Sequence, residues 1–495
     1  MDRIEGKTHN FIDVRALLVG LAREGTALAR FLAERGAHVT VTDLKPAERL
    51  ADRVAALTPF PVECVLGGHP LSLLDAADIV FVSPGVPLDI PLLEESRRRG
   101  LPLSSETRLF TRLCSAPVVG ITGSSGKTTT TALTNEMLRA GGRRSWIGGN
   151  IGQPLISAVE EIAASDVVVM ELSSFQLDFF GPWPGRVEDA GTLERDGDLF
   201  DAAGWSPPIA AILNITPNHL DRHPSMEAYV AAKAHILAHQ HPGSAAVLNL
   251  DDAITREMGE ALGSDQRLVW FSLVRDVPEG AFLQDDMLCL RMGDQTEVIC
   301  RTEELQLLGR HNVANTLAAC ALARLAGAPV GAMRQVATTF TAVEHRLELV
   351  REREGVRWYN DSIATTPERA AAALRSFPND RVVLLAGGRD KHLPWEEVAH
   401  LTCRNARHLV LFGEAAELIH EAIGNARERQ ASSPGWGGTL RVHQAGTLER
   451  AVELAARLAM AGDVVLLSPG GTSFDAYASF VDRGEHFRRL VQALE

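Results

Sequence analysis

The chain has 495 residues, of which 45% are hydrophobic and 23% charged, and carries a net charge of −14. That length exceeds one ordinary core and predicts roughly two to four domains, while the acidic balance excludes a basic nucleic-acid surface or an anionic-membrane anchor. No run approaches the apolar length of a membrane span, the opening MDRIEGKTHNF lacks a secretory apolar stretch, and the six cysteines form no CxxC pair, so reduced thiols in a cytoplasmic protein are expected.

In chain order, RALLVG, LAREGTALARFLAERG and AHVTVTD read as strand, helix and strand, and ADIVFVSPG, PLLEESRRRG and LPLSSE continue the alternation. This is the pattern of a parallel α/β sheet. In GLAREGT, Ala22 stands where a dinucleotide fingerprint has its second glycine, and Asp43 ends the next strand. The fingerprint is weakened and argues poorly for NAD. The Cys114–Pro117 region marks the exit from this domain.

A second series starts at PVVGITG, runs into the helix TTTTALTNEMLRAGG, and continues with DVVVMELSS, IAAILNIT and AAVLNLD, each an apolar strand with a polar end. Ligands of open parallel sheets lie at such carboxyl ends. GSSGKTT follows a strand and opens a helix, so backbone N–H groups of Gly123, Ser124, Ser125, Gly126 and Thr129 can cradle phosphate while Lys127 adds charge and Thr128 helps hold Mg2+. Ile121 occupies the first-glycine position of the strict motif. Glu171 ends a neighbouring strand and is a candidate Mg2+ ligand. NITPNHLDRH supplies His219, Asp221 and His223, a candidate transition-metal trio or ordinary loop histidines. Histidines 235, 239 and 241 read as helix face and turn. NVANTLAACALARLAG closes the series.

The third series, from TAVEHRLELV, has strands VRWYND, RVVLLAGG, ARHLVLFG and DVVLLSPGG. Segments 181–208 and 425–438, rich in Gly/Pro or charge, read as exposed insertions, the first pinned by Trp183 and Trp205.

Only five of the 49 basic residues are lysine: Lys7, Lys45, Lys127, Lys233 and Lys391. Lysine is a compact, deprotonatable amine where arginine is a planar fork that stays charged. Lys233 can therefore act as a cation for phosphate or, as a neutral amine, react with CO2 to give a metal-binding carbamate.

Taken together, GITGSSGKTTT, GGNIGQP, ELSSFQLD, NITPNHLDRH with Lys233, LGRHNVANTLAA, EHRLE, YNDSIATTPE and SPGGTSFD resemble the Mur ligases, ATP-dependent amide-bond ligases of peptidoglycan precursor synthesis. The resemblance spans nearly the whole chain, and ELSSFQL and SPGGTSFD are most similar to the branch that adds D-glutamate to UDP-N-acetylmuramoyl-L-alanine. It implies an α/β fold of three domains: a Rossmann-like UDP-substrate domain (1–114), a central P-loop ATPase-like, mostly parallel sheet domain (115–342) and a Rossmann-like amino-acid domain (343–495). It further implies ATP, two Mg2+ ions and N6-carboxylysine at Lys233, and a cytoplasmic monomer. Lys127 and its loop would hold the ATP phosphates, Thr128 and Glu171 one metal, and His219, with carboxylated Lys233, a second. Gly25, Thr26, Asp43 and Ser83 would receive the UDP moiety, and Asn150 and His219 the uridine-linked substrate. Asn312 and Asn315 would flank adenine, and Arg346 and Asp361 would reach the nucleotide. His345, which precedes that arginine, is grouped with the catalytic residues. Thr365, Lys391, Ser473 and Phe480 would receive D-glutamate.

The departures are Ile363, where many relatives carry lysine, SPGGTS in place of SPxxAS, and the 181–208 segment. Rival readings are a folylpolyglutamate synthase, a diaminopimelate- or lysine-adding ligase and a nucleotide-binding regulatory or transport ATPase. A dehydrogenase is weakened by Ala22.

Overall fold

The computed structural model describes residues 11–182, 203–218, 222–341, 344–377, 381–431 and 440–494. These form three sheets, and the fold is α/β throughout. The first sheet is wholly parallel, with strands β1 (Arg15–Val19), β2 (His38–Asp43), β3 (Val62–Leu66), β4 (Ile79–Val82) and β5 (Leu103–Ser104) in the order β3-β2-β1-β4-β5.

The second comprises β6 (Val118–Thr122), β7 (Ser145–Gly149), β8 (Val167–Glu171), β9 (Ile209–Ile212), β10 (Ala245–Asn249), β11 (Arg267–Ser272), β12 (Gly280–Gln284), β13 (Met287–Met292) and β14 (Gln295–Arg301). Its order is β14-β13-β12-β11-β10-β9-β6-β8-β7, parallel except for the β12-β13-β14 edge. The third contains β15 (Glu348–Arg353), β16 (Val356–Asn360), β17 (Val382–Gly387), β18 (Ala406–Phe412), β19 (Arg441–Gly446) and β20 (Val464–Gly470), in the order β15-β16-β20-β17-β18-β19. Only its β15-β16 pair is antiparallel.

By contacts the chain forms two compact units: Met1–Arg301 with Asn315–Val336, and Thr302–Ala314 with Ala337–Glu495. The first two sheets belong to the first unit. The strands of the third sheet show why parallel sheets read as unbroken apolar runs. Val382 and Leu384 of β17, with Leu466 of β20, enter one core layer, while Val383, Leu385 and Leu467 enter the layer on the opposite face.

Two buried polar arrangements stand out in the first unit. Arg108, 2% exposed, lies on the helix Glu106–Leu113 and donates to the carbonyls of Phe179, Gly181 and Ala203 at 2.5, 2.6 and 2.8 Å. Arg112 also donates to Ala203. On the same helix as Arg108, Glu106 shares a carboxyl network with Glu24, which is distant in sequence. Gln176 Nε2 donates to Glu24 Oε1 and to Thr107 Oγ1, both at 3.1 Å, Thr107 Oγ1 donates to Glu106 Oε2 at 3.4 Å, and the Ile156 N–H donates to Glu106 Oε1 at 3.2 Å. Glu24 Oε2 is buried without a hydrogen-bond partner.

Strands β3, β7, β15, β19 and the whole β11–β14 edge are additional to those expected from the sequence. Residues 425–431 also differ from expectation. The helix Ala416–Ala431 runs through the start of the expected insertion, because Ile419, Ile423 and Ala426 bury one face at helical spacing. Most of the 181–208 segment, with Trp183, lies outside the described residues. Trp205 packs edge-on against Phe180 with ring centroids 5.1 Å apart.

Candidate active site

The order β9-β6-β8 makes β6 the switch point of the second sheet, with Leu213–Asn214 beyond β9 and Glu171 at the end of β8 flanking the loop that leaves it. That loop is Gly123–Gly126. Gly126 has φ +83°, and a Cβ there would lie 2.3 Å from Asn315 Oδ1, so the turn admits only glycine. The helix Lys127–Ala140 follows without a side-chain cap. Its first N–H groups and dipole therefore make an anion site.

Asn214, which the sequence reading passed over, fixes the loop. Its Oδ1 accepts from the Ser125 N–H at 2.9 Å, its Nδ2 donates to the Ser125 carbonyl at 3.2 Å, and its own carbonyl accepts from the Ser124 N–H at 3.0 Å. Ser124 Oγ lies 3.0 Å from the Tyr229 hydroxyl and donates to the Thr216 carbonyl, so this hydroxyl braces the loop from below. Thr129 is buried in the first helical turn.

Thr128 Oγ1 donates to Glu171 Oε2 at 2.7 Å, and Asn150 Nδ2 donates to Glu171 Oε1 at 2.9 Å. A carboxylate and a hydroxyl thus meet beside the helix N-terminus, the hard-oxygen set that suits Mg2+. No group of three His, Cys, Asp or Glu side chains among the described residues has metal-site geometry. His219 and Asp221 lie outside those residues. His223 is buried, 2.9 Å from Ser174 Oγ and stacked on Phe175 at 5.4 Å, which is a packing role.

Lys233 projects from the helix Met226–Ala238 and is 1% exposed. Its Nζ donates to the Gly123 carbonyl at 3.1 Å and Thr122 Oγ1 at 3.3 Å, and sits 4.7 Å from the Tyr229 ring centre. Lys127 Nζ donates to the same Gly123 carbonyl at 2.9 Å. Burial, reinforced by the Lys127 charge, drives the Lys233 amine well below the usual lysine range, against the opposing pull of Glu171 and Asp178.

In the first sheet β1 is the switch strand. Asp43 Oδ2 accepts from the Leu21 N–H at 2.8 Å and Oδ1 from the Lys45 N–H at 2.9 Å, which fixes the turn after β1. Ser83 Oγ donates to the Gly20 carbonyl at 2.9 Å, and a Cβ on Gly25 would strike that same oxygen at 2.2 Å. Thr26 Oγ1 is spent within its helix, on the Ala22 carbonyl.

In the second unit, β20 lies between β16 and β17, and the loops after these strands carry the expected residues. The Asp361 carboxyl, 5% exposed, accepts from Ser468 Oγ at 2.8 Å and from the Leu347 N–H at 3.2 Å, and burial raises it to about 7. That second bond holds a strained segment, since His345 and Leu347 have φ of +63° and +44°. His345 is itself 2% exposed, 2.9 Å from Asn360 Nδ2 and packed edge-on to Phe480, so its ring lies inside the layer. Arg346 follows it and is half-buried. Asn312 is buried and donates to the Leu308 carbonyl at 2.8 Å. Thr365 and Phe480 are half-buried, Ser473 is buried, and Lys391 is exposed.

Comparison with known proteins agrees along the chain. Residues 14–105 match the MurD-like N-terminal domain of Mur ligases, 121–183 and 197–323 the Mur ligase middle domain, and 345–471 the Mur ligase glutamate ligase domain. A UDP-N-acetylmuramoylalanine–D-glutamate ligase of Symbiobacterium thermophilum is 44% identical over 97% of this chain and 98% of its own. The chain belongs to the Mur ligase family. The enzyme of the same name from Acidobacterium capsulatum is 40% identical to this Mur ligase, covering 97% of it and 96% of the relative. Among solved structures, the UDP-N-acetylmuramate-alanine ligase MurC of Thermotoga maritima superposes with a TM-score of 0.58 at 17% identity, covering 97% and 99% of the two chains. MurF ligase of Thermotoga maritima, solved with ADP, gives 0.55 at 18% identity, covering 97% and 96%. These two likenesses establish the fold of this Mur ligase, with three mostly parallel sheets.

Proposed function

We propose that this Mur ligase is an ATP-dependent carboxylate-amine ligase that adds D-glutamate to UDP-N-acetylmuramoyl-L-alanine in peptidoglycan precursor synthesis. The observation that carries the reading is the full-length 44% identity to an enzyme of that name, together with the Thr128–Glu171 contact beside an uncapped helix N-terminus. ATP would phosphorylate the terminal carboxylate of the nucleotide substrate, and the amine of D-glutamate would attack the acyl phosphate and expel phosphate. Little covalent work falls to the protein, so its part is to position the reactants and neutralise charge.

In the first unit, the Gly123–Thr129 backbone and Lys127 would hold the ATP phosphates. Bound Mg2+ would supply charge neutralisation on the phosphates, with Thr128 and Glu171 as ligands and His219 on a second ion. Lys233 suits carbamate formation, because its buried amine favours the neutral form: the nitrogen bonds to CO2 carbon and releases a proton. Gly25, Thr26, Asp43, Ser83 and Asn150 are assigned to the nucleotide substrate, and Asn315 to adenine. In the second unit, Asn312, Arg346 and Asp361 are assigned to ATP, and Thr365, Lys391, Ser473 and Phe480 to D-glutamate. His345, enclosed in its layer, is left with a supporting part only. Domain limits at 114 and 342 accompany this assignment. A cytoplasmic site of action follows from the need for ATP and a uridine nucleotide, and a monomer suffices, since one chain carries every assigned group. Among the described residues no helix is long and apolar enough to cross a membrane.

The test is phosphate release from ATP by the purified chain. It should require both UDP-N-acetylmuramoyl-L-alanine and D-glutamate, and full turnover with L-glutamate or meso-diaminopimelate but none with D-glutamate would overturn the reading.

A further inference from the structure

Arg483 is the largest fully buried side chain of the described residues, at 0% exposure. It sits in the first turn of the helix Phe480–Gln492, where the macrodipole disfavours a cation. Among the described residues no carboxylate lies within ion-pair distance of it. Its hydrogen bonds go elsewhere. Nε donates to Ser362 Oγ at 3.0 Å, Nη1 to the carbonyls of Gly471 and Thr472 at 3.2 and 3.1 Å, and Nη2 to those of Ser362 and Gly471 at 2.9 and 3.2 Å. All donors of the fork are used, and all acceptors but one hydroxyl are backbone carbonyls.

Those acceptors belong to two separate loops. Ser362 lies in the turn after β16, and Gly471 and Thr472 follow β20. Ser362 Oγ also donates to the Phe480 carbonyl at 2.7 Å, which ties the helix start to the same turn. A third loop closes on the guanidinium, since a Cβ on Gly388, after β17, would come 2.9 Å from Nη1 and 2.2 Å from the Thr472 carbonyl. The ends of three strands therefore converge on one buried cation. Stability alone does not explain it: an apolar side chain of similar volume would avoid the desolvation of an unpaired charge and the adverse dipole. Burial pushes the guanidinium down to about 10, which leaves it charged at neutral pH.

We propose that Arg483 is a positioning residue of the amino-acid acceptor site, locking the Asp361–Thr365 loop to the Gly471–Ser473 loop so that Thr365 and Ser473 are held at the spacing the acceptor requires. The proposal rests on the function proposed above, in which these loops receive D-glutamate. Only arginine serves. A lysine offers its donors from a single point and cannot span Ser362 and Gly471 together in the planar fork.

The experiment compares full-length wild type with Arg483→Lys and Ser362→Ala, the second removing one acceptor while leaving the guanidinium in place. Wild type is assayed first with D-glutamate, and failure there overturns the function reading alone. Arg483 is then tested with whichever amino acid wild type accepts. Arg483→Lys should raise KM for the acceptor by roughly tenfold or more, and Ser362→Ala by a smaller factor, while KM for ATP rises by a clearly smaller factor in each, because the Asp361 carboxyl keeps its own bonds to Ser468 Oγ and the Leu347 N–H. Equal changes in the two Michaelis constants, or an unchanged acceptor KM in either folded variant, would overturn it. If Arg483→Lys fails to fold, Ser362→Ala decides on the same criterion.

Discussion

Replacing Glu106 by glutamine isolates the energetic consequence of the carboxyl network it shares with Glu24. Burial raises Glu106 to about 8, with the Glu24 charge second, and burial raises Glu24 to about 7. In the unfolded chain both ionise near the ordinary glutamate value of about 4.3. The folded state therefore binds more protons than the unfolded state between those limits. The network costs nothing pH-dependent below about pH 4, and stability falls as pH rises through the window to about 8. One pKa unit is about 1.4 kcal/mol, so Glu106 alone sets an upper bound of about 5 kcal/mol at alkaline pH. Its place in the first turn of a helix favours the charged form by only ~0.3–1 kcal/mol, too little to reverse the sign. Allowing for water entry and relaxation, about 2 kcal/mol is a reasonable working figure.

Glutamine keeps the carbonyl that accepts from Ile156 and cannot ionise. Glu106→Gln should match wild type at pH 5.5 within about 1 kcal/mol, and at pH 9 resist urea better by about 2 kcal/mol, read by tryptophan fluorescence. A stability difference that does not change between these pH values, or a variant weaker at pH 9, would refute the reasoning.

Other substitutions probe the site itself. Gly126→Ala places a side chain at φ +83° and against Asn315 Oδ1, so phosphate release should fall by about tenfold or more with unchanged far-ultraviolet circular dichroism. Glu171→Gln should raise the Mg2+ concentration for half-maximal activity by about tenfold, and an unchanged Mg2+ titration would remove Glu171 from the metal. Lys233→Ala should lose activity and regain part of it with added short carboxylates, whereas full activity in Lys233→Arg would contradict a carbamate. Arg108→Leu takes the guanidinium from the carbonyls of Phe179 and Gly181 and leaves Ala203 to Arg112 alone, and it should lower stability by ~2–4 kcal/mol in urea, with the KM for ATP unchanged.

The strand–loop–helix over Val118–Ala140 is legible in the sequence because it is contiguous: glycines, Lys127 and Thr128 follow one strand in the order in which they fold. The place of Glu171 is legible for a similar reason, as the polar end of an apolar run. What escaped depends on register between distant segments. Asn214 grips Ser125 from 89 residues away, and Arg483 grips Ser362 from 121 away. Nothing local distinguishes either from its neighbours. The edge strands β12–β14 lack the long apolar run of a strand buried on both faces, so they gave little signal beside β6, β8 and β9. For His345 the sequence shows only its place before Arg346, and the direction of its ring is set by the fold: a left-handed backbone and the glycine at 484 turn it inward, where a Cβ on Gly484 would meet it at 2.3 Å.

The three carbonyls on Arg108 have a consequence for how this chain tolerates change. Gly181 and Ala203 border the stretch 183–202, and one guanidinium, anchored on a helix of the first unit, grips both borders. Whatever length of chain is threaded between them, its ends are already brought together, and lengthening a closed loop adds only slowly to its entropy cost. The border is thus a natural graft point. A shorter linker, an affinity tag or a fluorescent reporter could replace 183–202 while β8 and β9 keep their places beside the Gly123–Gly126 loop.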